Sequence, residues 1–276
     1  MYESLLEFWK FRPLILEFVR RDIKLRYKNS VGGIAWSLLP PLMQIAVITV
    51  MLKFITTNPV QNYSAQLFVL FLWNYFTVSL NDACGSLLSN APLIRKIYFP
   101  RLVIPLSTLL HHFFHFLIGF AFTIVYFFIL GAYPHNFRLL FLLVIPTVLF
   151  TFILCLGLSL MVSYLNVFYE DIKIIVGSLL GLFLYLIPII YPIEQVLARG
   201  KLVYTIYMLN PMSAFMVTYQ RALLPPPKVF DKFDHPLPSV GVPWDFFAIA
   251  CVTSLLIFFL GFYLFNKYQW EVVERL

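Results

Sequence analysis

The chain has 276 residues, 61% of them hydrophobic and only 12% charged, with a mean hydropathy of +0.85; a soluble domain carries about 25% charged residues. This composition excludes a water-soluble globular domain and suits a single membrane domain over residues 1–276 better than an anchor joined to a soluble unit. The net charge of +7 argues for no nucleic acid, because the basic residues cluster beside apolar segments, where they act as topology signals.

The first thirty residues contain no uninterrupted apolar core followed by a small-residue cleavage site, so the N-terminus is expected to persist. Residues 1–30 instead read as an interfacial segment. On a helical wheel Leu14, Ile15, Leu16, Phe18, Val19, Ile23 and Leu25 share an arc opposite Glu17, Arg20, Arg21, Lys24 and Lys28. Asp22 and Arg26 intrude on that arc at i,i+4 spacing with the acid first, able to pair with each other or with a docked protein. A plain membrane-surface anchor and a docking surface fit this pattern equally.

Six apolar stretches follow: Ile34 to Phe54, Leu67 to Leu88, Leu102 to Leu130, Leu139 to Tyr164, Ile174 to Tyr191 and Phe246 to Phe265. Each is long enough to cross a bilayer, the fifth barely. In the second, Phe71, Asn74, Thr77, Asn81, Asp82 and Gly85 form one stripe of hydrogen-bonding groups with an aromatic ring, which suits a sugar in a substrate path and equally a polar helix contact. Between the second and third stretches, residues 90–101 form a short element bounded by Pro92 and Pro100, with one or two helical turns at most. Its Ile94, Ile97, Tyr98 and Phe99, beside Arg95, Lys96 and Arg101, would make a poor solvent surface and a good plug for a groove on another protein; an interfacial loop is the alternative.

In the third stretch Ser107, His111, His115 and Gly119 recur on one face. Two histidines without a third ligand do not make a metal site, so a hydrogen-bonding or packing role is preferred. The fifth stretch carries Gly177 and Gly181, a GxxxG that permits close helix approach and gives mild support to a homodimer. A channel wide enough for a glycan needs more than six helices, which argues for the second copy on size. Leu202 to Leu224 is broken by Asn210-Pro211, so residues 192–243 read as an external loop with a re-entrant hairpin, closing the outer mouth or lying as an ordinary interfacial loop.

Cys84, Cys155 and Cys251 lie in apolar segments without metal-type spacing and read as free thiols. The phosphate-cradling GxxxxGK[ST] pattern is absent, since Gly200-Lys201 is preceded at the required spacing by Gln195. HExxH, CxxC and GxSxG are absent too, which leaves catalysis little to stand on. With six crossings and both termini inside, most basic residues fall on the cytoplasmic side. The expectation is an all-α integral membrane protein of six transmembrane helices, with an amphipathic interface helix, a cytoplasmic coupling helix and a re-entrant hairpin before the last helix.

Several segments carry a family resemblance: Leu25 to Trp36 with Pro41, Lys96 to Arg101, Leu165-Asn166-Val167 with Asp171-Ile172, Pro188 to Pro192, and Leu209 to Met212. In this order, over nearly the whole chain, they resemble the permease subunit of polysaccharide-exporting ABC transporters of the O-antigen, capsule or teichoic acid type. The sequence departs from that pattern at Gly32, where a larger apolar residue is usual, and at Glu170, where a basic one is. The resemblance implies a multi-pass subunit of the cytoplasmic (inner) membrane that binds no cofactor, with ATP and Mg held by two copies of a separate ATPase subunit. The amphipathic helix and the Ile94 to Phe99 element would grip that ATPase, two permeases would form the channel for a lipid-linked polysaccharide, and Asn210-Pro211 would mark the outer gate. Competing readings are an exporter of drug or lipid, a membrane enzyme acting on lipid-linked sugars through Asp82 and His111 or His115, and a proton-coupled carrier; no internal repeat supports the last.

Overall fold

The computed structural model describes residues 11–28, 30, 32–55, 63–130, 141–230 and 235–275. The first ten residues of the interfacial segment, the start of the fourth apolar stretch at Leu139, and 231–234 of the external loop lie outside them, as do Arg138 and Lys232. Among the described residues every regular element is a helix, apart from an isolated bridge pairing Phe230 with Pro236.

Proline punctuates the chain. α1 (Arg12–Tyr27) has Pro13 in its first turn, and a 3₁₀ segment (Gly33–Ser37) leads into α2 (Leu39–Ile55), which opens on Pro40-Pro41. α3 (Leu70–Ser89) is followed by α4 (Ala91–Lys96), with Pro92 in its first turn, and by α5 (Val103–Leu130), with Pro105 in its first. α6 (Val144–Phe168) opens with Pro146. First-turn positions have no intrahelical partner for an N–H, so a proline there starts a helix at no cost.

Proline also ends α7 (Ile172–Leu186): Ile187, before Pro188, is held extended at φ −94°, ψ 140°. α7 is therefore 15 residues long, roughly 22 Å, short of the ~30 Å hydrocarbon core. The expected fifth crossing, Ile174 to Tyr191, is thus a shorter helix followed by a bent segment, and the helices long and apolar enough to span number five among the described residues. α8 (Ile193–Ala198), α9 (Lys201–Leu209) and α10 (Pro211–Leu223) follow, then α11 (Trp244–Arg275). The break at Asn210-Pro211 is real. Asn210 Oδ1 accepts from the Met212 N–H at 3.0 Å, capping α10 just where Pro211 supplies the first helical residue.

α6 is the centre of the bundle, flanked by α3 and α11, with α5 on α3 and α1 on α5. α6 and α11 touch backbone to backbone: a Cβ added at Gly157 would fall 2.6 Å from Phe258 Cα, and one at Gly261 would strike the Gly157 carbonyl. Between apolar helices in lipid, such close packing replaces the hydrophobic drive that water would supply. One core lies around α3, α6 and α10; a second gathers Ile15, Phe18, Ile94, Phe99, Phe265 and Val272 at the α4 end.

At the opposite end α10 is buried along its length from Met212 to Leu223, and it carries a charge that sequence reading overlooked. Arg221 donates to Glu194 Oε1 (2.7 Å), to Gln66 Oε1 (3.1 Å) and to the Val240 carbonyl (2.8 Å). The two charged side chains are 2% and 0% exposed. This network ties α8, α10, the lead-in to α3 and the loop before α11 into one unit. Removing one partner of such a pair strands the other charge, so Glu194→Ala is expected to cost about 3–5 kcal/mol. A clear fall in the thermal unfolding temperature of the detergent-solubilised protein is the expected readout; an unchanged one would show that the pair does not hold this end together.

Candidate functional site

Four elements converge on a polar cluster: the end of α1, the start of α2, the middle of α3 and the first half of α5. His112 Nε2 lies 2.8 Å from Asp82 Oδ2, joining α5 to α3. Tyr27 places its hydroxyl 3.1 Å from His115 Nδ1, and Arg26 Nη1 is 3.5 Å from His111 Nε2. On the other side Asn74 donates to Gln44 Oε1 at 3.0 Å and to its own helix at the Leu70 carbonyl. The three imidazoles pack edge to face, with His111 4.9 Å from His112 and 4.7 Å from His115 between centroids.

A cavity of about 100 Å³ opens here, lined by Arg26, Pro41, Asn74, Tyr75, His115 and Phe116 among others. It has room for about three waters and not for a sugar ring with its hydration. The hydroxyl of Tyr75 and Nδ1 of His111 are buried without a hydrogen-bond partner among the described residues. Amide, imidazole, guanidinium and phenol groups set between aromatic rings can bind hydroxyls or an anion.

The predicted stripe on α3 is brought together only in part. Phe71 is buried against Gly119, where a Cβ would collide with its ring, so its first duty is packing. Thr77 donates back to the Trp73 carbonyl and Asn81 to the Thr77 carbonyl, both satisfied within their own helix. Asn81 also faces α7, its Oδ1 3.4 Å from where a Cβ on Gly177 would sit. Gly181, one turn on, has nothing within 4 Å of its Cβ position. Among the described residues, the GxxxG face is therefore half used within the chain and half open.

Sequence reasoning missed His112, Tyr27 and Gln44. His112 sits about 100° around the helix from His111, off the face that its neighbours define, and thirty residues separate it from Asp82. Only the packing of α3 on α5 joins them. Their spacing lets Asp22 and Arg26 pair with each other or with a docked protein; within the chain Asp22 accepts from Arg21 at 2.9 Å while Arg26 turns to His111. The i,i+4 pair gives way because the tail of α1 lies against α5 and offers Arg26 a ring nitrogen.

The short element 90–101 also differs from expectation. Ile94 and Phe99 are buried in the second core, Phe99 6.0 Å from the Phe18 ring, so they are part of this chain's own interior. Ile97 (57%) and Tyr98 (73%) stay exposed, beside exposed Arg95 and Lys96. Of the four, only Ile94 lies on the six-residue helix; Ile97 leaves it extended at φ −130°, ψ 134°, so Ile97, Tyr98 and Phe99 do not continue its helical face. α1 divides similarly: Ile15 and Phe18 are buried while Leu16 and Leu25 are exposed. Its apolar arc is wider than the groove that receives it. Asn210 and Pro211 lie at the far end, between α9 and α10.

Comparison with known proteins places this architecture. The family model described as ABC-2 type transporter matches residues 13–224. The O-antigen export system permease protein RfbA of Klebsiella pneumoniae is 27% identical over 266 residues, covering 95% of each chain. The protein of the same name from Myxococcus xanthus is 26% identical over 255 residues, 91% of each. A match across more than three quarters of the chain, over helices whose starts and breaks obey the same proline logic, leaves one conclusion: the protein belongs to the ABC-2 type transporter membrane family.

Proposed function

We propose that the chain is the membrane subunit of an ATP-driven exporter of lipid-linked polysaccharide of the O-antigen class. The observation that carries this reading is end-to-end similarity to O-antigen export permeases, 95% of both chains, together with the absence of the phosphate-cradling motif. ATP and Mg then belong to a separate ATPase, two copies of which serve two copies of this chain. α7 with its bent continuation supplies the sixth crossing, and α8 to α10 form a hairpin re-entering the outer leaflet. Both termini and α4 lie on the cytoplasmic side of the inner membrane.

In this arrangement the substrate path runs past Asn74, Thr77, Asn81, Asp82, His111 and His115, with Phe71 as an aromatic wall. The small cavity of the single chain widens only when the second copy contributes the opposite wall. Exposed Ile174, Leu182 and Tyr185 on α7 and Met43 and Val47 on α2 supply apolar faces for that copy or for lipid. ATPase docking falls to Ile97, Tyr98, Arg95 and Lys96, with the exposed side of α1 around Asp22 beside them; Ile94 and Phe99 brace the element from within.

ATP-dependent movement of a lipid-linked glycan into vesicles, by this chain and its co-purified ATPase, tests the reading. Movement of free lipid or drug but not of the glycan would favour the other exporter classes, and turnover without ATP an enzyme. Within the complex, Tyr98→Ala with Ile97→Ala is expected to lower substrate-coupled ATP hydrolysis at least about tenfold while the permease remains folded. Ile94→Ala, by contrast, should destabilise the permease itself by about 2–5 kcal/mol; coupled hydrolysis unaltered by the first pair would rule out docking there. For the dimer, Gly181→Cys is expected to give an oxidatively cross-linked band at twice the mass in native membranes, and none should form from the native cysteines. A monomeric band under the same oxidation would remove α7 from the interface.

A further inference from the structure

α4 is joined by the chain itself to α3 and α5, so any displacement of it reaches those two helices covalently. α6 and α11 have no such connection. They form a tight pair, in backbone contact at Gly157 and Gly261, with Tyr164 stacked on Tyr268 at 5.6 Å and Arg275 4.5 Å from the Phe168 ring centroid. α11 runs for 32 residues, roughly 48 Å, well beyond the ~30 Å hydrocarbon thickness. Its surplus turns carry Val272 into the same core as Ile94 and Phe99.

Beside that core stands Arg101, directly after α4. Its guanidinium carbon is 4.4 Å from the Trp270 ring centroid and 5.8 Å from that of Tyr98. The side chain is 9% exposed, although both rings it touches are largely open, Trp270 at 57%. Among the described residues no carboxylate pairs with it. The guanidinium thus bridges a ring just after α4 and a ring on α11, a contact that its planar face can make and a lysine ammonium cannot reproduce.

We propose that the Tyr98–Arg101–Trp270 stack is the contact through which α4 moves the α6–α11 pair, so that the end of the last helix takes part in coupling ATP hydrolysis to export. Arg101 and Trp270 are positioning residues acting through Tyr98, which faces the ATPase. The inference rests on the exporter reading above. It gives the α6–α11 pair a polar input beside its packing on α3 and the shared second core: the push that α3 and α5 receive through the chain, α11 receives directly through Arg101.

The test uses the complete complex and reads assembly, ATP hydrolysis and glycan exported per ATP. Trp270→Leu keeps an apolar side chain at the interface but loses the aromatic face, and Arg101→Lys keeps the charge but loses the plane. Both are expected to leave assembly and basal hydrolysis within about twofold while export per ATP falls roughly tenfold. The double variant should be no worse than either single one, and Trp270→Phe should recover most of the loss. Unchanged export per ATP, or assembly and hydrolysis falling in step with export, would overturn the link while leaving the exporter reading intact. A wild-type complex without ATP-dependent export would overturn the exporter reading, and the link with it.

Discussion

In a bilayer a polar group has no water to turn to, and every feature of this protein follows from how it meets that constraint. The backbone meets it by forming helices wherever a described segment is long and apolar enough to cross. Side-chain hydroxyls meet it locally: Thr123, Thr147, Thr151 and Ser254 each donate to a carbonyl one turn back. Groups too long or too charged for that remedy are gathered into two places, and those places differ in kind.

The network around Arg221 is buried and pairs the guanidinium on three sides, though Glu194 Oε2 has no hydrogen-bond partner among the described residues. The guanidinium reaches three elements besides its own, its counter-ion is fully buried, and Gln66 is held in turn by the Pro225 carbonyl. Such a site holds α8 and α10 in place beside α9, whose Leu202, Ile206 and Leu209 are exposed. The cluster around His112 and Asp82 is open. The Asp82 side chain is 55% exposed although its partner is buried, and Arg26 finds only an imidazole at 3.5 Å. A polar site left partly unsatisfied inside a membrane protein is costly to maintain, which marks it as a candidate functional site.

Between these ends the α6–α11 contact through Gly157 and Gly261 sets how the molecule can move. α6 joins this close pair to the α3–α5 pair, since it packs on α3 as well as on α11. The second core and the Arg101 stack lie at the junction of the two.

Composition and spacing settled the solvent, the helical class and the punctuation by proline, because these are local or summed properties. The break at Asn210-Pro211 needed no partner to be visible, nor did the absence of a phosphate loop. The fifth apolar run is longer than its helix, since its eighteen residues contain Pro188 and the helix ends at Leu186. Which charges would meet, and which apolar side chains would face inward, lay beyond the sequence. Asp82 with His112, Glu194 with Arg221 and Arg101 with Trp270 are separated by 30, 27 and 169 positions, and a helical wheel cannot see across helices. It could place Ile94, Ile97, Tyr98 and Phe99 together as an apolar group; only the second core, by admitting Ile94 and Phe99 and leaving Ile97 and Tyr98 outside, decided which half belongs to this chain's interior and which is free for a partner.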